Sequence, residues 1–276
     1  MEALLARVVQ LLEKLTEPPT LHAPDWSLAR AWRLRHAPLR LEAIRHTSNL
    51  RFDALKEIDP QKERFRRNLS AFVSGRSSNH VLLSGSRGTG KSSLVKAALN
   101  EWPQLRLIEL DKADLGELGR LSELVAGRQE RFIVFCDDLS FSADEVGYQA
   151  LKSVLDGSTA EAADNVLIVA TSNRRHLMPE PLKDNLDTTK GQGGEIHPGE
   201  AIEEKISLSE RFGLWISFYP FSQQEYLAIV NQWLAHFGQP PSELLRSQAL
   251  VWALERGSRS GRVAYQFARD VAGRVE

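Results

Sequence analysis

The stretch "HVLLSGSRGTGKSSLVKAALNEW" constrains this chain more than any other. Inside it, Gly85–Ser92 reads GSRGTGKS, the spacing G-x-x-x-x-G-K-[ST]. An apolar run precedes the motif and a helix-forming run follows it, and that strand–loop–helix context gives the spacing its meaning. Gly88 and Gly90 let the backbone turn its N–H groups inward, which makes a concave cradle for phosphate. The helix start adds partial positive charge. In such a loop Gly85, Ser86, Arg87, Gly88, Thr89 and Gly90 wrap the phosphates. Lys91 reaches the β- and γ-phosphates, Ser92 offers its hydroxyl to Mg²⁺, and Ser93 continues the first helical turn. The expected ligand is ATP with Mg²⁺.

Three further strand ends extend that reading. "RFIVFCDD" runs an apolar strand into two acids. Asp137 is the expected Mg²⁺ residue, held directly or through water. Asp138 would face the space where water attacks the γ-phosphate and would orient it. Asp is one methylene shorter than the Glu that most ring-forming ATPases place there. "VLIVATSN" brings Asn173 to the end of another strand, where an amide can bond both water and a γ-phosphate oxygen. Arg174 and Arg175 follow, with phosphate sensing, a neighbour contact and plain solvation all open. Arg211, in "SLSERFGLWISFY", precedes the last strand. It is read as supplying charge to a neighbouring subunit's γ-phosphate, against a surface ion pair as the alternative. Near the last helix either Arg262 or Arg259 could reach the nucleotide.

Five short apolar runs ("HVLLSG", "LRLIEL", "RFIVFC", "NVLIVATS", "LWISFY") alternate with helical segments. Runs apolar on both faces predict a parallel sheet covered on both sides. Beyond Pro220 three helices are expected, with Ser222 and Glu225 forming a capping box, and Gly238 and Gly257 ending the first two. At the other end Leu4, Val8, Leu11 and Leu15 recur at helical spacing. The basic stretch that follows (Arg30, Arg33, Arg35, Arg40, Arg45, Arg51) is read as a solvated helix face, with a docking strip for an acidic partner or nucleic acid as the alternative. The segments are therefore 1–51, an N-terminal helical extension; 52–220, an α/β nucleotide-binding core; and 221–276, a helical lid. The Gly-rich segment "DNLDTTKGQGGEIHPGEAIEEK" is expected as a long functional loop.

Bulk properties exclude little. A net charge of −1 gives no electrostatic case for nucleic acid or membrane. No apolar run reaches the roughly 18 residues of a membrane span, the N-terminus has no leader-like pattern, and the one cysteine, Cys136, suits a reducing compartment. The expectation is a cytoplasmic protein with no membrane partner.

These motifs, in this order, resemble the AAA+ ATPases over roughly Phe52 to the C-terminus. The resemblance implies a five-stranded parallel sheet of order 5-1-4-3-2 with a C-terminal helical lid. It implies Walker A at Gly85–Ser92, Walker B at Asp137–Asp138, sensor 1 at Asn173, an arginine finger at Arg211 and sensor 2 at Arg262. "FDALKEIDPQKERFRRNLSAF" looks like the segment that encloses adenine, with Ile58 as a contact. "LLSGSRGTGKSSLVKA", "FIVFCDDLSF", "ATSNRRHLMPE" and "EEKISLSERFGLWISFYPFSQQEYLAIV" look like one bacterial AAA+ family known only as a domain of unknown function. Initiators and helicase loaders also carry Asp-Asp in Walker B. "DKADLGELGRLSELVAGRQE" has no aromatic residue, which counts against a protein-threading unfoldase. The implied function is ATP hydrolysis in a homo-oligomer with sites between subunits, driving the remodelling or loading of an unidentified macromolecular partner, with a protein expected and nucleic acid possible. An ATP-binding switch with negligible turnover and a nucleic-acid-associated factor are the alternatives.

Overall fold

The computed structural model describes residues 20–141, 146–156, 163–173, 189–190, 196–197 and 208–274. The Leu4–Leu15 stripe, Arg174, Arg175 and most of the Gly-rich segment lie outside the described residues. In chain order the elements are β1 (Ala31–Arg35), β2 (Arg40–Ala43), α1 (Asp59–Val73), β3 (Val81–Gly85), α2 (Lys91–Glu101), β4 (Leu105–Glu109), α3 (Leu118–Val125), β5 (Arg131–Cys136), α4 (Val146–Leu155) and β6 (Val166–Ser172). Then follow a two-residue pair, β7 (Thr189–Lys190) with β8 (Ile196–His197), the last sheet strand β9 (Leu214–Phe218), and helices α5 (Gln223–His236), α6 (Glu243–Glu255) and α7 (Gly261–Gly273).

The five apolar runs become β3, β4, β5, β6 and β9, and all pair in parallel. Residue parity decides which face each side chain covers. Leu83, Leu107, Phe135, Val169 and Ile216 join one buried cluster, beneath α1, α2 and the C-terminal helices. Leu82, Ile108, Val134, Ile168 and Cys136 join the other, beneath α3 and α4. Cys136 is fully buried there, and desolvation pushes its thiol up to about 12. The packing makes it an inert apolar residue.

The expected sheet of five strands is corrected to seven, in the order β2-β1-β4-β5-β6-β3-β9. The five strands β4-β5-β6-β3-β9, counted alone, follow the expected sequence of neighbours, and both added strands lie beyond β4. The two added strands come from the segment read as a helical extension. β1 pairs parallel with β4, matching Trp32 to Ile108, and antiparallel with β2. The reason is a period of two inside the basic stretch. Trp32, Leu34, Leu39 and Leu41 turn inward and are buried, while Arg35, Arg40 and Glu42 are exposed. Trp26 packs edge-on against both Trp32 and Phe132, at 5.4 and 4.8 Å between ring centroids, which joins the hairpin to the central strands.

The C-terminal helices follow their expected signals. Ser222 and Glu225 form the capping box of α5. Gly238 and Gly257, in the left-handed region, lie just past the ends of α5 and α6. Ser242 and Ser260 cap α6 and α7.

If β1 is integral to the sheet, Trp32→Ala should lower unfolding free energy by about 3–5 kcal/mol, as expected for removing a buried aromatic. Urea denaturation checks this. A merely appended hairpin would leave the main transition unmoved.

Candidate nucleotide-binding site

Parallel strands open all their C-terminal ends on one edge, and open sheets of this kind bind ligands there. β3 delivers the Gly85–Ser92 loop, β5 delivers Asp137 and Asp138, and β6 delivers Asn173 to that edge. Gly88 and Gly90 carry φ of +72° and +102°, which a residue with a Cβ rarely adopts. At Gly88 there is also no room, because an added Cβ would sit 2.8 Å from Ser260 Oγ. The Gly261 N–H donates to the Gly88 carbonyl at 2.9 Å, so α7 begins directly on the loop.

A cavity of about 660 Å³ lies over this edge. Its wall is part polar, from Arg87–Ser93, Asp137, Asp138, Asn173 and Arg262, and part apolar, from Leu50, Leu55, Ile58, Ile229, Trp233 and Tyr265. That mixture suits a ligand that carries both phosphates and a flat heterocycle.

Lys91 is only 6% exposed. Its ammonium donates to the carbonyls of Gly85 and Ser86, both at 2.7 Å, and to Asn173 Oδ1 at 3.1 Å. Burial pushes it down to about 8; the carboxylates of Asp138 and Asp137 oppose that shift, while Arg87 and Arg262 reinforce it. The Asn173 amide also donates to Asp138 Oδ1, so one side chain bridges the cation and the acid. The Ser92 hydroxyl donates to Asp137 Oδ1 at 2.6 Å, which brings a hydroxyl and a carboxylate together. Among the described residues no group of three or more His, Cys, Asp and Glu could hold a metal. A serine and one carboxylate nevertheless suit Mg²⁺, which takes one or two protein ligands and fills its octahedron with phosphate and water.

Arg87, Gly88, Thr89, Gly90, Lys91, Ser92, Ser93, Asp137, Asp138, Asn173, Ile58 and Arg262 all line the cavity. Arg259 does not, which separates the two arginines that sequence left open. Gly85 and Ser86 also stand off the wall, and act through the carbonyls that hold Lys91. Arg211 is not brought to the cavity of its own chain; it pairs with Asp156 at the end of α4. Sequence reasoning missed Thr171, Trp233 and Tyr265. Tyr265 lies one turn beyond Arg262 and Trp233 one turn beyond Ile229, so each shares a face with a wall residue. Nothing in the sequence pairs those two helices, but their rings meet edge-on at 4.9 Å.

Among curated proteins no match is found. Among solved structures, the RuvB Holliday junction branch migration motor of Thermotoga maritima is similar with a TM-score of 0.53 and 15% identity, covering 80% of this chain and 64% of that one. Two mutants of the same motor give TM-scores of 0.52 at 16% identity, covering 80% and 81% of this chain and 64% and 65% of theirs. This chain therefore spans a little under two thirds of the motor's length. At such identity the likeness concerns the fold. The sequence pattern of the family described as "Protein of unknown function (DUF815)" matches residues 27–275. The chain belongs to that family, and its fold is similar to that of the RuvB motor.

Proposed function

We propose that the chain binds ATP with Mg²⁺ and hydrolyses it within a homo-oligomer, using the cycle to remodel or load a protein partner. The observation that carries this reading is the meeting of three pairs at one sheet edge: Lys91 with the loop carbonyls, Ser92 with Asp137, and Asn173 with Asp138. Nucleotide phosphates would draw Lys91 from its carbonyl acceptors. Ser92 and Asp137 would hold Mg²⁺, which would neutralise charge on the phosphates. Asp138 and Asn173 would position the attacking water, and the Asp138 carboxylate would take up its proton. Arg262, in the first turn of α7, would reach the phosphates from the C-terminal helices. Leu55, Ile58, Trp233 and Tyr265 would enclose the base.

Arg211 fits the role of a neighbour's charge donor only if it can leave its partners in its own chain, Asp156 among them. The Arg211 and Asp156 side chains are both partly exposed, and an ion pair of that kind contributes at most about 1 kcal/mol. A γ-phosphate across a subunit boundary would outcompete it. Half of the basic stretch is engaged within the chain, while Arg40, Arg45 and Arg51 are exposed. Arg30 is bonded to the Leu99 carbonyl and Asn100, Arg33 to Glu109, and Arg35 to Glu42. A nucleic-acid partner stays a secondary reading, prompted by the Holliday junction branch migration motor among the similar folds. Among the described residues no helix is long and apolar enough to cross a membrane. A reducing cytoplasmic setting accords with the buried single thiol.

Asp138→Asn should keep ATP binding and lower turnover by about 10²–10⁴-fold, the usual contribution of a positioned base. Phosphate release with nucleotide affinity as control measures it. A wild-type protein without steady phosphate release would favour the switch reading instead. Arg211→Ala should lower turnover by about 10³-fold or more while the isolated chain still binds ATP. Full activity of that mutant as a purified oligomer would remove the trans role.

Lys91 gives a pH dependence with a definite sign. Without nucleotide its pKa is near 8, and bound phosphates favour the ammonium. Below about pH 8 the charge is already present. Above it, binding must take up a proton, so affinity should fall by up to about tenfold per pH unit. Calorimetry from pH 7 to pH 9.5 in buffers of different ionisation enthalpy reads both effects. A flat affinity across that range would contradict the assignment.

A further inference from the structure

Thr171 lies one residue from the end of β6, between β3 and β5, and is 2% exposed. Its hydroxyl has one proton and gives it to Asp137 Oδ1 at 2.6 Å. The same oxygen accepts the backbone N–H of Asp138 at 2.8 Å. Its carbonyl accepts the N–H of Leu139 at 2.7 Å. One residue of β6 thus fastens three consecutive residues at the point where β5 leaves the sheet.

That point is strained. Asp138 has φ +53°, in the left-handed region. A residue with a Cβ pays roughly 1–2 kcal/mol there, and Asp and Asn tolerate it best. A hydrogen bond from the Asp138 N–H to a hydroxyl can offset that cost, and it exists only with Ser or Thr at position 171. The turn brings the Asp138 carboxylate against the Asn173 amide. On the other acid, Ser92 and Thr171 donate to the same oxygen of Asp137, and two donors on one oxygen fix the plane of the carboxylate.

We propose that Thr171 is the positioning residue for both acids: its hydroxyl orients Asp137 toward Mg²⁺ and holds the left-handed turn that aims Asp138 at the attacking water. This rests on the ATPase reading above and deepens it. Thr171 touches neither phosphate nor metal in this role, and it acts through the two carboxylates. The proposal also accounts for the shorter acid, because the turn that Thr171 stabilises is one that Asp accepts more readily than Glu.

The test compares Thr171→Val, which keeps shape and loses the hydroxyl, with Thr171→Ser, which keeps the hydroxyl. The readouts are thermal melting, kcat and KM for ATP, and the Mg²⁺ concentration that half-saturates its effect on ADP binding. Thr171→Val should lower kcat by about 10–100-fold with KM little changed, and should raise the Mg²⁺ requirement by about tenfold, as loss of an outer-shell partner does. Thr171→Ser should stay within about threefold of wild type in each, since the outer-shell bond survives. If Val matches wild type, or if Ser falls as far as Val, the hydroxyl is not the positioning group and the proposal is overturned. If Thr171→Val does not fold, Thr171→Ala takes its place against Ser. The Mg²⁺ titration with ADP needs no hydrolysis. A wild type without turnover would therefore remove the ATPase reading, while the titration would still decide whether Thr171 orients Asp137.

Discussion

β3 is hydrogen-bonded on both sides, to β6 and to β9, and the rest of the site depends on that placement. A strand so enclosed is buried on both faces, which its run of Val81, Leu82 and Leu83 satisfies. Its end is fixed as a result, and so is the loop that follows. β6 stands directly beside it, which puts Asn173 within reach of Lys91, and β5 stands beside β6, which puts Asp137 within reach of Ser92. No side chain has to be guided to the edge separately. Parallel register carries them all there.

Charge then decides how the edge behaves. Lys91, Arg87 and Arg262 face Asp137 and Asp138 around one cavity. The buried ammonium of Lys91 is satisfied by two loop carbonyls and the Asn173 amide oxygen. On the proposed reading a nucleotide replaces these neutral acceptors with charged phosphate oxygens, and charge-assisted bonds are roughly twice as strong. Withdrawing Lys91 also frees Asn173 Oδ1, while the amide nitrogen remains on Asp138. Binding is thereby linked, through a single side chain, to the acid that would position water.

Legibility in the sequence followed the range of the interactions. The loop, the acidic strand, the five strands and the capping box at Ser222 and Glu225 are local patterns, and each was readable from adjacent residues. The hairpin at 31–43 was also local, but its alternation is carried by arginines. By its charge the stretch reads as a solvated helix face, whereas the period of two in Trp32, Leu34, Leu39 and Leu41 marks strands. The apolar part of the cavity wall was beyond sequence reach. Trp233 and Tyr265 sit on different helices, and only packing of α5 on α7 makes them neighbours. The same holds for Arg211, whose partner Asp156 lies just past the end of α4.

Asp138 first stands out as an acid one methylene too short. The backbone explains the choice better than the reaction does. Here the turn is present at φ +53°, and three hydrogen bonds to Thr171 surround it. Under those bonds the Asp138 carboxylate already meets the Asn173 amide. Restoring Glu without undoing the turn would place a residue less tolerant of that conformation in the same strained position. Acid length and backbone conformation are thus one variable, and residue 171 is where β6 sets it.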